Sequence, residues 1–186
     1  MPIACIVDGR MEQRIVQRLC PNSPVRLMGI NGRDVAVAAM AKRAAPLIRL
    51  LKNFYPIVVV FDREARPDRC DKLRNDFVAA LKENGITRSD IIVGIADRMT
   101  ENWMLGCGKL REKYSITERT EGCNGKTVIT RALHAVGEVY HETTVGVDFF
   151  CAIDVASAIA NSESFAVFAR EMAPHCRWLS NSFNVE

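Results

Sequence analysis

The run IVVVF at residues 57–61 limits the fold more than any other part of this chain. It is a short stretch of β-branched and aromatic residues between Pro56 and Asp62, with no polar residue to face water. A strand that alternates apolar and polar side chains has one wet face. This one has none, so both of its faces need cover, as in a parallel sheet with helices on each side.

The segments around it repeat in the matching order. IACIV (3–7) reads as a buried strand broken by DGR, and MEQRIVQRL (11–19) as a helix with Ile15, Val16 and Leu19 at helical spacing, stopped by Pro21. VRLMGI (25–30) is a weaker strand with Gly32 just beyond. From Asp34 to about Asn53 the pattern is helical and rich in Ala, with Pro46 interrupting or restarting it. Residues 68–83 form an amphipathic helix carrying Leu73, Phe77, Ala80 and Leu81, and IIVGI (91–95) is the fourth strand. Strand–helix alternation of this kind predicts an α/β fold, a Rossmannoid parallel sheet flanked by helices.

The second half is helical without strands. TENWML (100–105) starts a helix with Thr100 as its cap, 106–125 reads as a loop, and helices are expected at 127–140, 148–160 and 164–173. Ser162 or Ser164 caps the last of them. The expected organisation is an α/β core over 1–105 and a helical C-terminal extension over 106–186, packed on the core as one compact unit. Trp103 is expected to anchor its helix in the core or against the C-terminal extension while Glu101, two residues earlier, points to the sheet rim. The alternative is a surface tryptophan that docks a partner or stacks a base.

Composition narrows the partners. A hydrophobic content of 48% in 186 residues excludes overall disorder, and a net charge of +3 is too small by itself to mark a nucleic-acid binder. Arg10, Arg14 and Arg18 recur at helical spacing, however, and form either a solvated helix face or a nucleic-acid contact. Seven cysteines without a C-x-x-C pair fit reduced thiols in a cytoplasmic protein, and the three histidines do not complete a zinc site. The opening MPIACIVDG has no signal-peptide pattern, and no apolar stretch approaches membrane length, so no membrane partner is expected.

Acids then collect on one rim. In an open parallel sheet, ligands bind outside the carboxyl ends of the strands. Asp8 follows strand one, Glu12 lies in the next helical turn, Asp62 and Glu64 follow strand three, and Asp97 and Glu101 follow strand four. Crowded carboxylates repel, and a hard divalent cation such as Mg2+ or Mn2+ removes the conflict. Acids at helix starts also have a purely structural use with the helix dipole, which applies to Glu12 and Glu101. GCNGKT (122–127) ends like a phosphate-binding loop, but position 120 is Thr and SITERTE is no buried strand. Lys126 stays as a lone cation beside the rim, either stabilising transition-state charge or simply exposed.

These motifs together resemble a known family. VDGRMEQRIV resembles the first acidic motif of Toprim-like proteins, such as the overcoming-lysogenization-defect nucleases and RloB-like proteins, and VVVFDREARPDRC resembles their second. ENWML is similar to the Glu–x–Trp–Leu signature of a small Toprim-like family found in bacterial defence loci. The GK before a helix and SESFAVFAREM near the end extend the likeness over almost the whole chain. Two positions depart from the pattern: Asp8 stands for the usual Glu, and Glu64 for the usual second Asp.

The resemblance implies a Mg2+-dependent nuclease that hydrolyses phosphodiester bonds of DNA or RNA, in antiviral defence beside an ATPase partner. Asp62 and Glu64 would hold metal, with Glu12 and Glu101 completing that site or a second one. Asp8 would be a ligand or the base for the attacking water, with Lys126 and the Arg10, Arg14, Arg18 face turned to nucleic acid. Two alternatives stay open. The first is a catalytically degenerate subunit that binds nucleic acid or a partner protein, and the second is a phosphoacceptor domain labelled at Asp62. Self-association as a homo-oligomer is open in each case.

Overall fold

The computed structural model describes residues 2–29 and 35–180. Asp34 and Gly32 of the sequence reading lie outside them. Four parallel strands, β1 (Ala4–Val7), β2 (Val25–Leu27), β3 (Ile57–Asp62) and β4 (Ile91–Ala96), form one sheet in the order β2-β1-β3-β4. Val7 pairs with Val60 and Asp62 with Ala96, so the carboxyl ends of the central strands finish close to one level.

The absence of polar residues in β3 has the expected cause. Ile57, Val59 and Phe61 bury under the Ala-rich α2 (Val37–Leu50) and α3 (Cys70–Glu83), together with Ala4, Ile6, Val93 and Ile95. Val58 and Val60 turn to the other face with Cys5 and Val7, where α1 (Arg10–Leu19) contributes Met11 and Ile15. Successive strand residues point to opposite faces, so a helix layer on each side makes every position a core position. Pro46 does not interrupt α2. It and Lys42, the residue whose carbonyl loses a partner, lie on the solvent side, where water can serve that carbonyl.

The C-terminal helices share the core of the α1 face. They are α4 (Thr100–Leu105), α5 (Gly108–Lys113), α6 (Gly125–Ala135), a π-helical turn (Glu142–Gly146), α7 (Val147–Cys151), α8 (Val155–Asn161), α9 (Glu163–Met172) and α10 (Arg177–Ser180). Trp103 is 1% exposed and lies at the centre, stacked on Phe168 at 5.0 Å between ring centroids, with its Nε1 donating to Ser164 Oγ at 2.9 Å. The anchor expected of Trp103 is therefore present.

Several boundaries differ from the sequence reading. The stretch 106–125 is not all loop, because Leu110 and Tyr114 bury one turn apart and draw α5 onto the core. The helix expected over 127–140 stops at Ala135. Gly137 adopts φ +77, and the amides of Gly137 and Glu138 return to the carbonyls of His134 and Leu133, a Schellman end that a side chain at 137 would resist. The helix expected over 148–160 is broken at Asp154, whose side chain accepts from the Ser157 amide and starts α8. Ser162 caps α9 by accepting from the Phe165 amide. Thr100 is not the cap of α4: Met99 holds that position, and the Thr100 hydroxyl points elsewhere.

Among the described residues no single helix is long and apolar enough to cross a membrane. The bent pair Glu142–Cys151 and Val155–Asn161 turns by 97° and gives Phe150, Val155 and Ala158 to the core.

Candidate functional site

Strand order decides where a crevice opens. From β1 the chain goes to β2 on one side and then crosses to β3 on the other. Loops diverge at such a switch point, outside the ends of β1 and β3. The cleft found there has a volume of about 750 Å³. Asp8, Arg10, Glu12, Asp62, Glu64, Glu101 and Lys126 all line it. Arg98, Met99, Asn124, Glu142 and Thr143 complete much of the wall.

Each acid has a defined support. Asp62 is the last residue of β3, and the Thr100 hydroxyl donates to its Oδ1 at 3.1 Å. Glu12 sits in the first turn of α1. Glu101, 4% exposed, accepts on Oε1 from the Tyr140 hydroxyl at 3.0 Å, and that hydroxyl also lies 3.7 Å from Met11 Sδ. Lys126 lies in the first turn of α6, which rests directly on α4. A Cβ at Gly125 would come within 2.8 Å of the Asn102 amide, so glycine permits the approach that brings Lys126 to the rim. There Lys126 pairs with Glu142 of the π-helical turn.

The carboxyls oppose one another electrostatically. Burial, then the negative charges of Glu12 and Glu101, hold Asp62 well above the usual carboxylate range; Asp8 adds to this and the Thr100 hydrogen bond opposes it. Glu12 is raised first by burial, with Asp8 and Glu142 contributing. Glu101 is raised to about 7, chiefly by burial, while its backbone and Tyr140 hydrogen bonds pull the other way. Tyr140 is itself raised by burial and by Glu101. Such a cluster takes up either protons or a cation.

The backbone is also strained beside the cleft. Glu64 and Arg98 adopt φ +54 and +69, and the Glu64 amide donates to the Arg98 carbonyl at 2.7 Å. Left-handed conformations cost non-glycine residues roughly 1–2 kcal/mol, and structures retain them mainly where the surroundings hold them. The buried Nε of Arg98 finds no hydrogen-bond partner among the described residues.

Not every expected residue meets here. Asp97 turns away from the acids: its Oδ1 pairs with Arg63 Nε at 2.6 Å and its Oδ2 accepts from the Gly122 amide. Arg14 donates to the Thr143 carbonyl at 2.5 Å and Arg18 pairs with Asp148, so both join α1 to the C-terminal helices. Arg10 is the member of the triplet that lines the cleft. Thr100, Tyr140 and Glu142 are site residues that the sequence reading assigned otherwise or passed over. The adjacency of Thr100 to Glu101 was the one available signal.

A divalent cation fits this donor set by chemistry, since the crowded ligands are all carboxylate oxygens and like charges add to the rise of the Asp62 carboxyl. Among the described residues, though, no three His, Cys, Asp or Glu side chains are already arranged around one point. Binding would have to draw the carboxylates together. Comparison of the chain with protein-family models, curated proteins and solved structures finds no match.

Proposed function

We propose that this chain is a metal-dependent phosphodiesterase that hydrolyses DNA or RNA, built on a Toprim-like site. One observation carries the reading: Asp62, Glu12 and Glu101 line one open cleft at the sheet's switch point, where burial and then the charges of Glu12 and Glu101 raise the Asp62 carboxyl. Asp62, Glu64, Glu12 and Glu101 are the residues that would hold Mg2+ or Mn2+. A cation bound there would polarise the scissile phosphate and ease ionisation of the attacking water.

The chain's own groups do the remaining work. Thr100 fixes the Asp62 carboxyl, and Tyr140 fixes that of Glu101. Asp8 is a further ligand or the base that takes the water's proton. Arg10, the unpartnered Nε of Arg98 and Lys126 supply positive charge to a phosphate entering the cleft. Lys126 meets substrate only by leaving Glu142, so binding and release of that pair are coupled. Arg14 and Arg18, both exposed, extend the basic face along α1. The wider proposal is a cytoplasmic defence protein acting beside an ATPase partner.

A second reading is a catalytically degenerate subunit. The Asp8 and Glu64 departures favour it. In that case the cluster is neutralised by protons and Glu101 is protonated for much of the time near pH 7. Incubating the protein with Mg2+ or Mn2+ and labelled single- and double-stranded DNA and RNA separates the two. Cleavage lost in both Asp62→Asn and Glu12→Gln supports the enzyme. Binding without cleavage under both metals selects the degenerate subunit.

A further inference from the structure

The end of α1 and the segment before α10 bring two thiols together. Cys20 and Cys176 are 156 positions apart in sequence, yet their Sγ atoms lie 3.9 Å apart. Cys20 is partly exposed and Cys176 is 6% exposed. Between α1, β1 and α10 lies an apolar cavity of about 70 Å³ with both sulfurs on its wall, beside Leu19 and Trp178. A water molecule's share of liquid volume is about 30 Å³, so the space admits a peroxide-sized molecule. Cys107 and Cys123 direct their sulfurs to backbone groups instead.

We propose that Cys20 and Cys176 are a dithiol–disulfide pair, a modification site that reversibly ties the end of α1 to the C-terminal α10. A disulfide requires the sulfurs to close to about 2.05 Å, a shift of about 2 Å. The local hydrogen bonding divides the roles. The two sulfurs lie within reach of each other, and this contact, with the nearby Leu179 and Trp178 amides, lowers Cys176 against its burial while it raises Cys20. Cys5, on the same cavity wall, is pushed up to about 12 by burial in β1 and stays a thiol.

With hydrogen peroxide as oxidant the chemistry balances. The Cys176 thiolate attacks one peroxide oxygen, the O–O bond breaks, and the departing hydroxide takes a proton to become water. The Cys20 sulfur then attacks the sulfenic sulfur, losing its own proton and releasing a second water. Two thiols are oxidised, and one peroxide is reduced to two waters. The bond would restrain α1 at the end opposite Glu12, whose side chain lines the same cavity.

The test is oxidation of the purified chain with limiting hydrogen peroxide, followed by digestion without reduction and mass spectrometry. The expected product is a peptide pair joining Cys20 to Cys176, with titratable thiols of the denatured protein falling from seven to five. Dithiothreitol should reverse it, and the thermal midpoint should rise by roughly 5–10 °C in the oxidised form. Cys20→Ser should leave a sulfenic acid at Cys176 that dimedone traps, which keeps the test valid if Cys176→Ser fails to fold. Pairing of other cysteines, cross-links between molecules, or sulfinic acid at Cys176 without a cross-link would each overturn the proposal. None of these readouts depends on nuclease activity.

Discussion

Two clefts open on either side of the β3–β4 rim, and neighbouring residues feed them in opposite ways. On one side Asp62 meets Glu12, Glu101 and Asp8, and burial first and then these like charges hold its carboxyl up. On the other side Arg63, the very next residue, pairs with Asp97 at 2.6 Å, both with side chains less than 15% exposed. In that second cleft Glu121 accepts from the Ser164 amide and from the Ser162 and Ser164 hydroxyls at 2.7–2.8 Å. Carboxylates supplied with donors are structural joints that fasten the C-terminal helices to the sheet. Carboxylates that face one another oppose folding instead, and such a cluster in a cleft marks a candidate site.

That contrast can be broken at its common support. Trp103 is the buried anchor of α4, which carries Thr100 and Glu101 toward one cleft, and it bonds to Ser164 of the other. Trp103→Ala should lower stability by about 3–5 kcal/mol in urea unfolding, through lost burial and the cavity left behind.

Next comes Arg63→Ala, expected to cost about 3–4 kcal/mol because Asp97 is left buried without its partner. The same substitution should leave the response to divalent metal unchanged. Loss of metal response with little loss of stability would show that the two clefts are not separate in function.

A pH series sharpens the comparison. Glu101 has a folded value of about 7 against 4.5 for the free side chain. Its raised folded value makes its contribution to stability full below about pH 4.5 and lost as pH rises through 7. At roughly 1.4 kcal/mol per unit the loss from Glu101 is on the order of 3 kcal/mol. Thermal melts in chelator should therefore fall from pH 5 to pH 8, while Glu101→Gln flattens the profile. Added Mg2+ should also flatten it, since a cation favours the ionised carboxyls. A profile indifferent to Mg2+ would favour the degenerate reading.

The smallest expected effect is a gain. Asp62→Asn should raise stability in chelator by about 1 kcal/mol by removing a crowded charge, since the amide oxygen still accepts from the Thr100 hydroxyl. Calorimetric titration should then show no Mg2+ binding in the mutant. Destabilisation by more than 1 kcal/mol would mean that the Asp62 carboxyl is a structural joint like Asp97.

Much of the architecture was legible because it rests on local pattern. A strand without polar residues, Leu73, Phe77, Ala80 and Leu81 at helical spacing, and acids placed directly after Val7 and Phe61 all follow from periodicity, and the structure has each of them. What misled were short segments. The two buried residues of α5, the Asp154 break and the end of α6 at Ala135 carry too few residues for a period to show. The Thr100 hydroxyl was read as a cap because sequence rules rank local partners first. In the folded chain it reaches Asp62, 38 positions away.

Sequence alone thus determined the layered α/β core and the gathering of acids at one edge of the sheet. These depend on side-chain period and on strand direction. Only the tertiary structure decided which acids face each other and which face a cation. Asp62 and Arg63 leave β3 toward opposite sides, so one residue of pleat sends a carboxyl to its rivals and a guanidinium to Asp97. Tyr140 and Glu142 reach the cleft only because Gly137 ends α6 and the chain then folds back over α1. Partners chosen that way are set by long-range packing, which no local spacing encodes.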